Sequence, residues 1–196
     1  SGFLYLTSSG GDIDGVAIAR YTGLAVLGDG LAGPITINEL STIGSLWPLA
    51  SQFTVGSGIE GSANGLLLGS QHVQNLVDVS TGTFGTTVLD GGNLTLSETV
   101  ARMNTLAALM SLCGAQKDSA NCEKFLSITN GSDTLTALHH IAVQPYLNTQ
   151  ELFALFTTAF SYPEGKERRA TEFLPYLSYA QTKPELTYRG RIKGTS

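Results

Sequence analysis

The chain has 196 residues, of which 42% are hydrophobic and only 14% charged, with 23 glycines and a net charge of −5. That length accommodates one buried core, and the acidic balance excludes the basic footprint that a phosphate backbone demands, so nucleic acid is not an expected partner. No run reaches the roughly 18 apolar residues a membrane-spanning helix needs, so no span is expected either.

With so few charges the surface must be covered by Ser, Thr, Asn and Gly, and such surfaces repel one another weakly. Self-association is therefore expected. Residues 1–160 hold four basic and twelve acidic side chains, whereas residues 161–196 hold seven basic and four acidic. A cationic tail of one copy docking on the acidic body of another is one reading; a solvated terminus is the other.

In chain order, residues 1–35 alternate short apolar runs with Gly10-Gly11, Gly28-Asp29-Gly30 and Gly33-Pro34. This predicts strands and tight turns. Phe3-Leu4-Tyr5-Leu6-Thr7 opens abruptly as a strand, the expected appearance of a segment whose upstream part, including any export signal, has been removed. Gly28-x-Gly30-x-x-Gly33 matches a dinucleotide fingerprint by letter, but Pro34 follows at once and Phe53 stands where the acidic ribose ligand belongs. Asp12-Ile13-Asp14-Gly15 begins like a calcium loop, yet its glycine comes early and Gly23 occupies the position of the bidentate acid. An ordinary turn is the expectation for both.

From Thr36 the period becomes helical. Thr36-Ile37-Asn38-Glu39 has the form of a capping box ahead of Leu40, Ile43, Trp47 and Ala50, and Pro48 should shorten or kink that helix. A second helix is predicted over 62–78 with Leu66, Leu67, Val73 and Val77 inward, followed by a hairpin or irregular excursion to Gly92. Thr95-Leu96-Ser97-Glu98 is another capping box, introducing the strongest helical pattern in the chain: Val100, Met103, Leu106, Ala107, Met110 and Cys113. Short helices are expected at 123–128 and 133–143, the latter ended by Pro145. A last helix is capped by Asn148-Thr149-Gln150-Glu151, with Leu152, Leu155, Phe156 and Phe160 inward.

Cys113 and Cys122 flank a polar loop with no other chemistry, which reads as a disulfide and so as an oxidising compartment; two reduced thiols are the alternative. His139 and His140 are adjacent on a predicted helix and diverge by about 100°, and nothing makes His72 converge with them. No metal or cofactor is expected. Gly69-Ser70-Gln71-His72 lacks the second glycine of a nucleophile elbow and lies at helical positions, so no catalytic residue is assigned and the chain is expected not to be an enzyme. Asn93-Leu94-Thr95 and Asn130-Gly131-Ser132 are glycosylation sequons in loops, with meaning only in a host that modifies them.

The last segment differs from the rest. Phe173-Leu174-Pro175-Tyr176-Leu177 is aromatic, and Leu186-Thr187-Tyr188-Arg189-Gly190-Arg191-Ile192 alternates like an edge strand.

The order Ile37-Asn38-Glu39-Leu40-Ser41-Thr42, Asn75-Leu76-Val77-Asp78 with Thr81-Gly82, and Asn104-Thr105-Leu106-Ala107 before the cysteine loop resembles a helical module of large secreted bacterial proteins. Asp133-Thr134-Leu135, Ala142, Pro145 and Leu152-Phe153-Ala154-Leu155 continue the likeness, which covers roughly residues 3–180. In those proteins the module tends to follow an immunoglobulin-like or carboxypeptidase-regulatory-like β-domain and to precede β-propeller repeats of the NHL type. The resemblance implies that Phe3 to Thr7 is the last strand of a preceding β-domain. It lends no catalytic residue. Where propeller repeats would begin, this chain carries the basic tail Arg189-Gly190-Arg191-Ile192-Lys193 instead.

The expected architecture is thus mainly α, with five to six helices, short β segments at both termini and one disulfide-stapled domain. It divides into a strand and loop segment over 1–35, a helical core over 36–160 and a basic, aromatic extension over 161–196. The expected function is that of a non-enzymatic structural or assembly module of the cell exterior, a subunit of a surface filament or sheath. Its partners would be further copies of itself or neighbouring domains of a larger secreted protein. Phe3, Leu4, Tyr5 and Leu6, or Leu186, Tyr188, Arg189, Arg191 and Ile192, are the interface candidates. The alternative is a ligand- or glycan-binding module using Tyr162, Phe173, Tyr176 and Tyr179.

Overall fold

A computed structural model describes residues 3–10, 12–13, 16–17, 20–28, 33–90, 92, 96–114 and 119–160. The C-terminal interface candidates, the aromatic ligand candidates and Thr95 of the expected capping box lie outside these residues.

The N-terminal strand finds its partner inside the chain. β1 (Leu4–Ser9) pairs antiparallel with β4 (Thr22–Gly28), Tyr5 opposite Val26 and Ser9 opposite Thr22. Between them, β2 (Asp12–Ile13) and β3 (Val16–Ala17) make a two-residue hairpin, which is where the apparent calcium loop begins. The strand expected to close a preceding β-domain is therefore held by this domain's own sheet.

β4 is the pivot of the fold. Leu24 and Ala25 are fully buried and Val26 nearly so, among the same core side chains as the helices. A strand buried this deeply must satisfy the backbone groups that β1 leaves unpaired. Three helix hydroxyls do so: the N–H groups of Thr22, Leu24 and Val26 donate to Thr134 Oγ1 (2.8 Å), Thr42 Oγ1 (3.0 Å) and Ser45 Oγ (3.0 Å). Thr134 returns its own proton to the Thr22 carbonyl at 2.8 Å.

Among the described residues are six helices of eight residues or more, of which the first, the second and the one at 134–143 pack directly on β4. α1 (Glu39–Leu46) starts two residues later than its expected box: Asn38 rather than Thr36 is the N-cap, accepting from the Ser41 N–H while Ser41 Oγ accepts from the Asn38 N–H. The serine does what a glutamate does in the usual form of this motif. Pro48 ends the α-helix as expected, and the chain continues as a 3₁₀ turn, Trp47–Gln52, whose first turn tolerates proline because its N–H has no helical partner. A short hairpin follows, β5 (Phe53–Thr54) with β6 (Gly58–Ile59).

α2 (Ala63–Leu76) is capped by Ser62, which accepts from Gly65 N–H. Its inward stripe differs from expectation. Val73 and, just beyond the helix, Val77 are buried, but Leu67 is 50% exposed, and Gly69 and Ser70 occupy the close approach instead. A Cβ on Gly69 would collide with the Leu49 side chain, so the stripe is set by a glycine that hydrophobic periodicity does not weigh. Then come the hairpin β7 (Val77–Asp78) and β8 (Thr83–Phe84) and the single turn α3 (Thr86–Leu89).

α4 (Leu96–Ser111) matches the strongest predicted helix, with Met103, Leu106 and Met110 buried. α5 (Ser119–Thr129) is longer than expected. Asp133 caps α6 (Thr134–Val143), accepting from the Thr136 N–H at 2.8 Å. Asn148 precedes α7 (Thr149–Ala159) but does not cap it: its backbone is left-handed at φ 54°, and its side-chain amide donates to the Ile128 carbonyl instead. Tertiary contact overrode the local cap.

Cys113 and Cys122 form the expected disulfide, with Cα atoms 4.7 Å apart. It ties the end of α4 to α5, and both residues are buried. Reducing it, or replacing both cysteines with serine, is expected to lower the stability by about 2–3 kcal/mol on loop-entropy grounds. Urea unfolding with and without reductant at neutral pH checks this; coincident curves would refute it.

Candidate functional site

Alternation along an antiparallel pair fixes which way each backbone group points. Because Thr22, Leu24 and Val26 turn their N–H groups toward the helices, they are the positions of β4 that do not hydrogen-bond to β1. Their opposite numbers, Ser9, Thr7 and Tyr5, therefore aim their backbone groups away from β4. The sheet containing β1 has two strands among the described residues, so that outer edge has no neighbour there. β4 has its far edge closed by hydroxyls, whereas among the described residues that of β1 meets no strand.

The side chains of β1 divide between its faces. Tyr5 is half-buried and leans on the β5–β6 hairpin, where its hydroxyl lies against Gly58 and accepts weakly from the Ile59 N–H at 3.4 Å. Phe3 packs with it, their rings 6.1 Å apart, and both rest on the core. Leu4 and Leu6 point outward and are 37% and 38% exposed. Of the four N-terminal interface candidates, two serve the fold and two face water. Sequence alternation suggested the strand, but only its pairing shows which edge is open.

The other motifs resolve into structural roles. Ser70 is buried in α2 and donates to the Leu67 carbonyl at 2.8 Å; it sits on no sharp turn. Gly28 takes φ 70° where β4 ends, and a Cβ placed on it would lie 3.5 Å from the Ser70 side chain of α2. Asp78 closes the β7–β8 turn, accepting from the Ser80 N–H (2.9 Å) and hydroxyl (2.6 Å). Those bonds hold its carboxyl below the usual carboxylate range. Asn38 reaches the same turn through its amide, which donates to the Gly82 carbonyl at 2.9 Å. Asn38 and the β7–β8 turn are thus tied together across the fold.

The histidines do not converge. His72 is exposed on α2. His139 Nε2 donates to the Ala50 carbonyl at 3.0 Å, and His140 Nδ1 donates to the Thr129 carbonyl at 2.8 Å, since a carbonyl can only accept. Among the described residues no group of three or more His, Cys, Asp or Glu could hold a metal ion. A small, mostly apolar pocket of about 90 Å³ opens between α1, α2 and α4, lined by Ile43, Trp47, Leu76, Arg102, Met103 and Leu106.

With Nε2 committed as a donor, His139 Nδ1 is a buried nitrogen with no partner among the described residues, and the ring packs at a tilt against Phe53, centroids 5.0 Å apart. Burial, with a further push from His140, lowers its pKa against the opposing effect of the Ala50 hydrogen bond. A base with a depressed folded-state pKa takes up its proton more readily when unfolded. Stability is therefore full above the unfolded value of about 6.5 and declines as pH falls through that value toward the folded one. Urea midpoints at pH 7.5 and 5.5 should show this decline, and His139→Gln should flatten it. An unchanged slope in the variant would remove His139 from the account.

No protein family, curated protein or solved structure matches this chain. No helix among the described residues is long and apolar enough to cross a membrane.

Proposed function

We propose that the chain is a non-enzymatic structural or assembly module of the cell exterior that associates with further copies of itself through its terminal strands. The observation that carries this is the outer edge of β1, which has no strand neighbour among the described residues and is flanked by the exposed Leu4 and Leu6. Soluble proteins usually blunt such an edge with a charge, a proline or a bulge directed outward, because an unpaired ladder recruits any available strand. Leu4 to Ser9 carries no charge and no proline, and the one register irregularity in its pairing with β4, between Leu4 and Tyr5, lies at the end of the strand. The low charge density of the whole chain adds little repulsion between copies.

The disulfide supports an oxidising, extracellular setting, as does the likeness to modules of secreted bacterial proteins. A contact that does not close on itself produces a filament, and the basic tail with Leu186, Tyr188 and Ile192 supplies a second contact for such growth.

Sizing across a concentration series, with negative-stain microscopy of the same samples, tests the proposal. Thr7→Pro deletes an outward N–H while leaving the β1–β4 bonds of Leu6 and Ser8, and edge positions of this kind tolerate proline. The variant is expected to raise the dissociation constant of self-association at least about tenfold, the equivalent of one net contact of roughly 1.4 kcal/mol. A monodisperse monomer at the highest attainable concentration, with both termini intact, would overturn the proposal.

A further inference from the structure

Resting on that reading of β1, we infer that the edge is occupied by β1 of a second copy, antiparallel and related by a two-fold axis through Leu6. In an antiparallel pair, residues whose backbone groups face the partner must lie opposite residues that do the same. The outward set is Tyr5, Thr7 and Ser9. Two two-fold registers pair five of the six β1 residues, one setting Tyr5 opposite Thr7 of the second copy and the other setting Thr7 opposite its own equivalent, whereas a third, centred on Tyr5, sets Leu4 opposite Leu6 but pairs only Leu4 to Leu6.

Side chains choose between them. In the first register Leu6 lies directly opposite Leu6 of the second copy and Leu4 lies opposite Ser8, so Leu4 to Ser8 are paired. The Leu6 pair falls at a site without backbone bonds, where facing side chains approach most closely, with Cβ atoms about 4.5–5.5 Å apart. A leucine 38% exposed in one copy is covered by its equivalent. The second register sets Leu6 opposite Ser8 and carries Leu4 beyond the strand, opposite Gly10, leaving both leucines without an apolar partner.

A two-fold axis also brings every charge near its own equivalent, so a charged edge disfavours itself. Leu4 to Ser9 has none, which makes it compatible with itself. The basic tail segment 186–192 gains nothing electrostatically from so neutral a strand. Two β1–β4 pairs joined this way form one four-stranded sheet, past the size at which an isolated pair is marginal.

Cross-linking the full chain tests the register. Both native cysteines are joined to each other, so a cysteine introduced by Leu6→Cys supplies the one free thiol. Opposed positions without backbone bonds have Cα atoms about 4.5 Å apart, within the range a disulfide spans. Under mild oxidation at associating concentrations, Leu6→Cys is expected to give covalent dimer at least roughly tenfold faster than Thr7→Cys or the exposed control Val55→Cys. Faster cross-linking of Thr7→Cys would overturn the Leu6-centred register. Equal slow rates in chains that still associate would overturn β1 self-pairing and leave self-association through another contact standing. Absence of association at any concentration would overturn both proposals. Should the Leu6 variant fail to fold, amide exchange on the unaltered chain decides: protection at Tyr5 and Thr7 should rise with concentration, and unchanged exchange in an oligomer would sink the inference.

Discussion

Phe125→Ala is expected to destabilise the chain by about 3–5 kcal/mol, the largest single effect of the substitutions considered. The ring is fully buried in the common core, on α5, which packs against both α6 and α7. Removing it forfeits the transfer energy of a phenyl group, and the cavity cannot easily collapse. The next turn is held by Thr129, whose hydroxyl donates to the Phe125 carbonyl at 2.8 Å, and the disulfide pins α5 to α4 through Cys122. Denaturant unfolding should show a reduced midpoint with an unchanged slope. A loss below about 1 kcal/mol would mean that α5 is less firmly docked than its burial indicates.

Thr134→Val should cost about 2–4 kcal/mol although it preserves the size and branching of the side chain. The Thr134 hydroxyl accepts from the Thr22 N–H and donates to the Thr22 carbonyl, both at 2.8 Å, in a fully buried position. Valine leaves both backbone groups unpaired without giving them water, and each such orphan costs about 1–3 kcal/mol. Thr22 also donates its hydroxyl to Asp133 Oδ2 at 3.0 Å, so the start of β4 and the cap of α6 should loosen together. Thr134→Ser, which keeps the hydroxyl, is expected to recover most of the loss. Equal destabilisation by serine and valine would show that the methyl group, not the hydrogen bonds, matters.

These two positions differ in how far sequence alone could reach them. Phe125 announces itself as an aromatic residue next to Leu126 within a helical window. Nothing near Thr134 announces a strand 112 residues away in sequence, and locally it is just the first residue after the Asp133 cap. The same contrast separates Val73, whose burial follows from helical spacing, from Leu67, which that spacing placed inward and which the Gly69–Leu49 approach turns outward.

Composition and hydrophobic periodicity determined by themselves that the protein is mainly helical and where most of its helices lie, and they pointed to a break of the first helix near Pro48 and to the pairing of Cys113 with Cys122 that the structure contains. All of these depend on interactions within a few residues or a few turns, so the information is local. Tertiary structure alone decided that β1 belongs to β4, that β4 runs through the core with its far edge closed by Thr42, Ser45 and Thr134, and that Tyr5 turns inward while Leu4 and Leu6 face out. Each of those is a long-range pairing, and an alternating strand reads the same whichever of its edges is open. The physical reason is that side-chain alternation encodes the faces of a strand, whereas its edges are backbone, identical at every residue until a partner takes one of them.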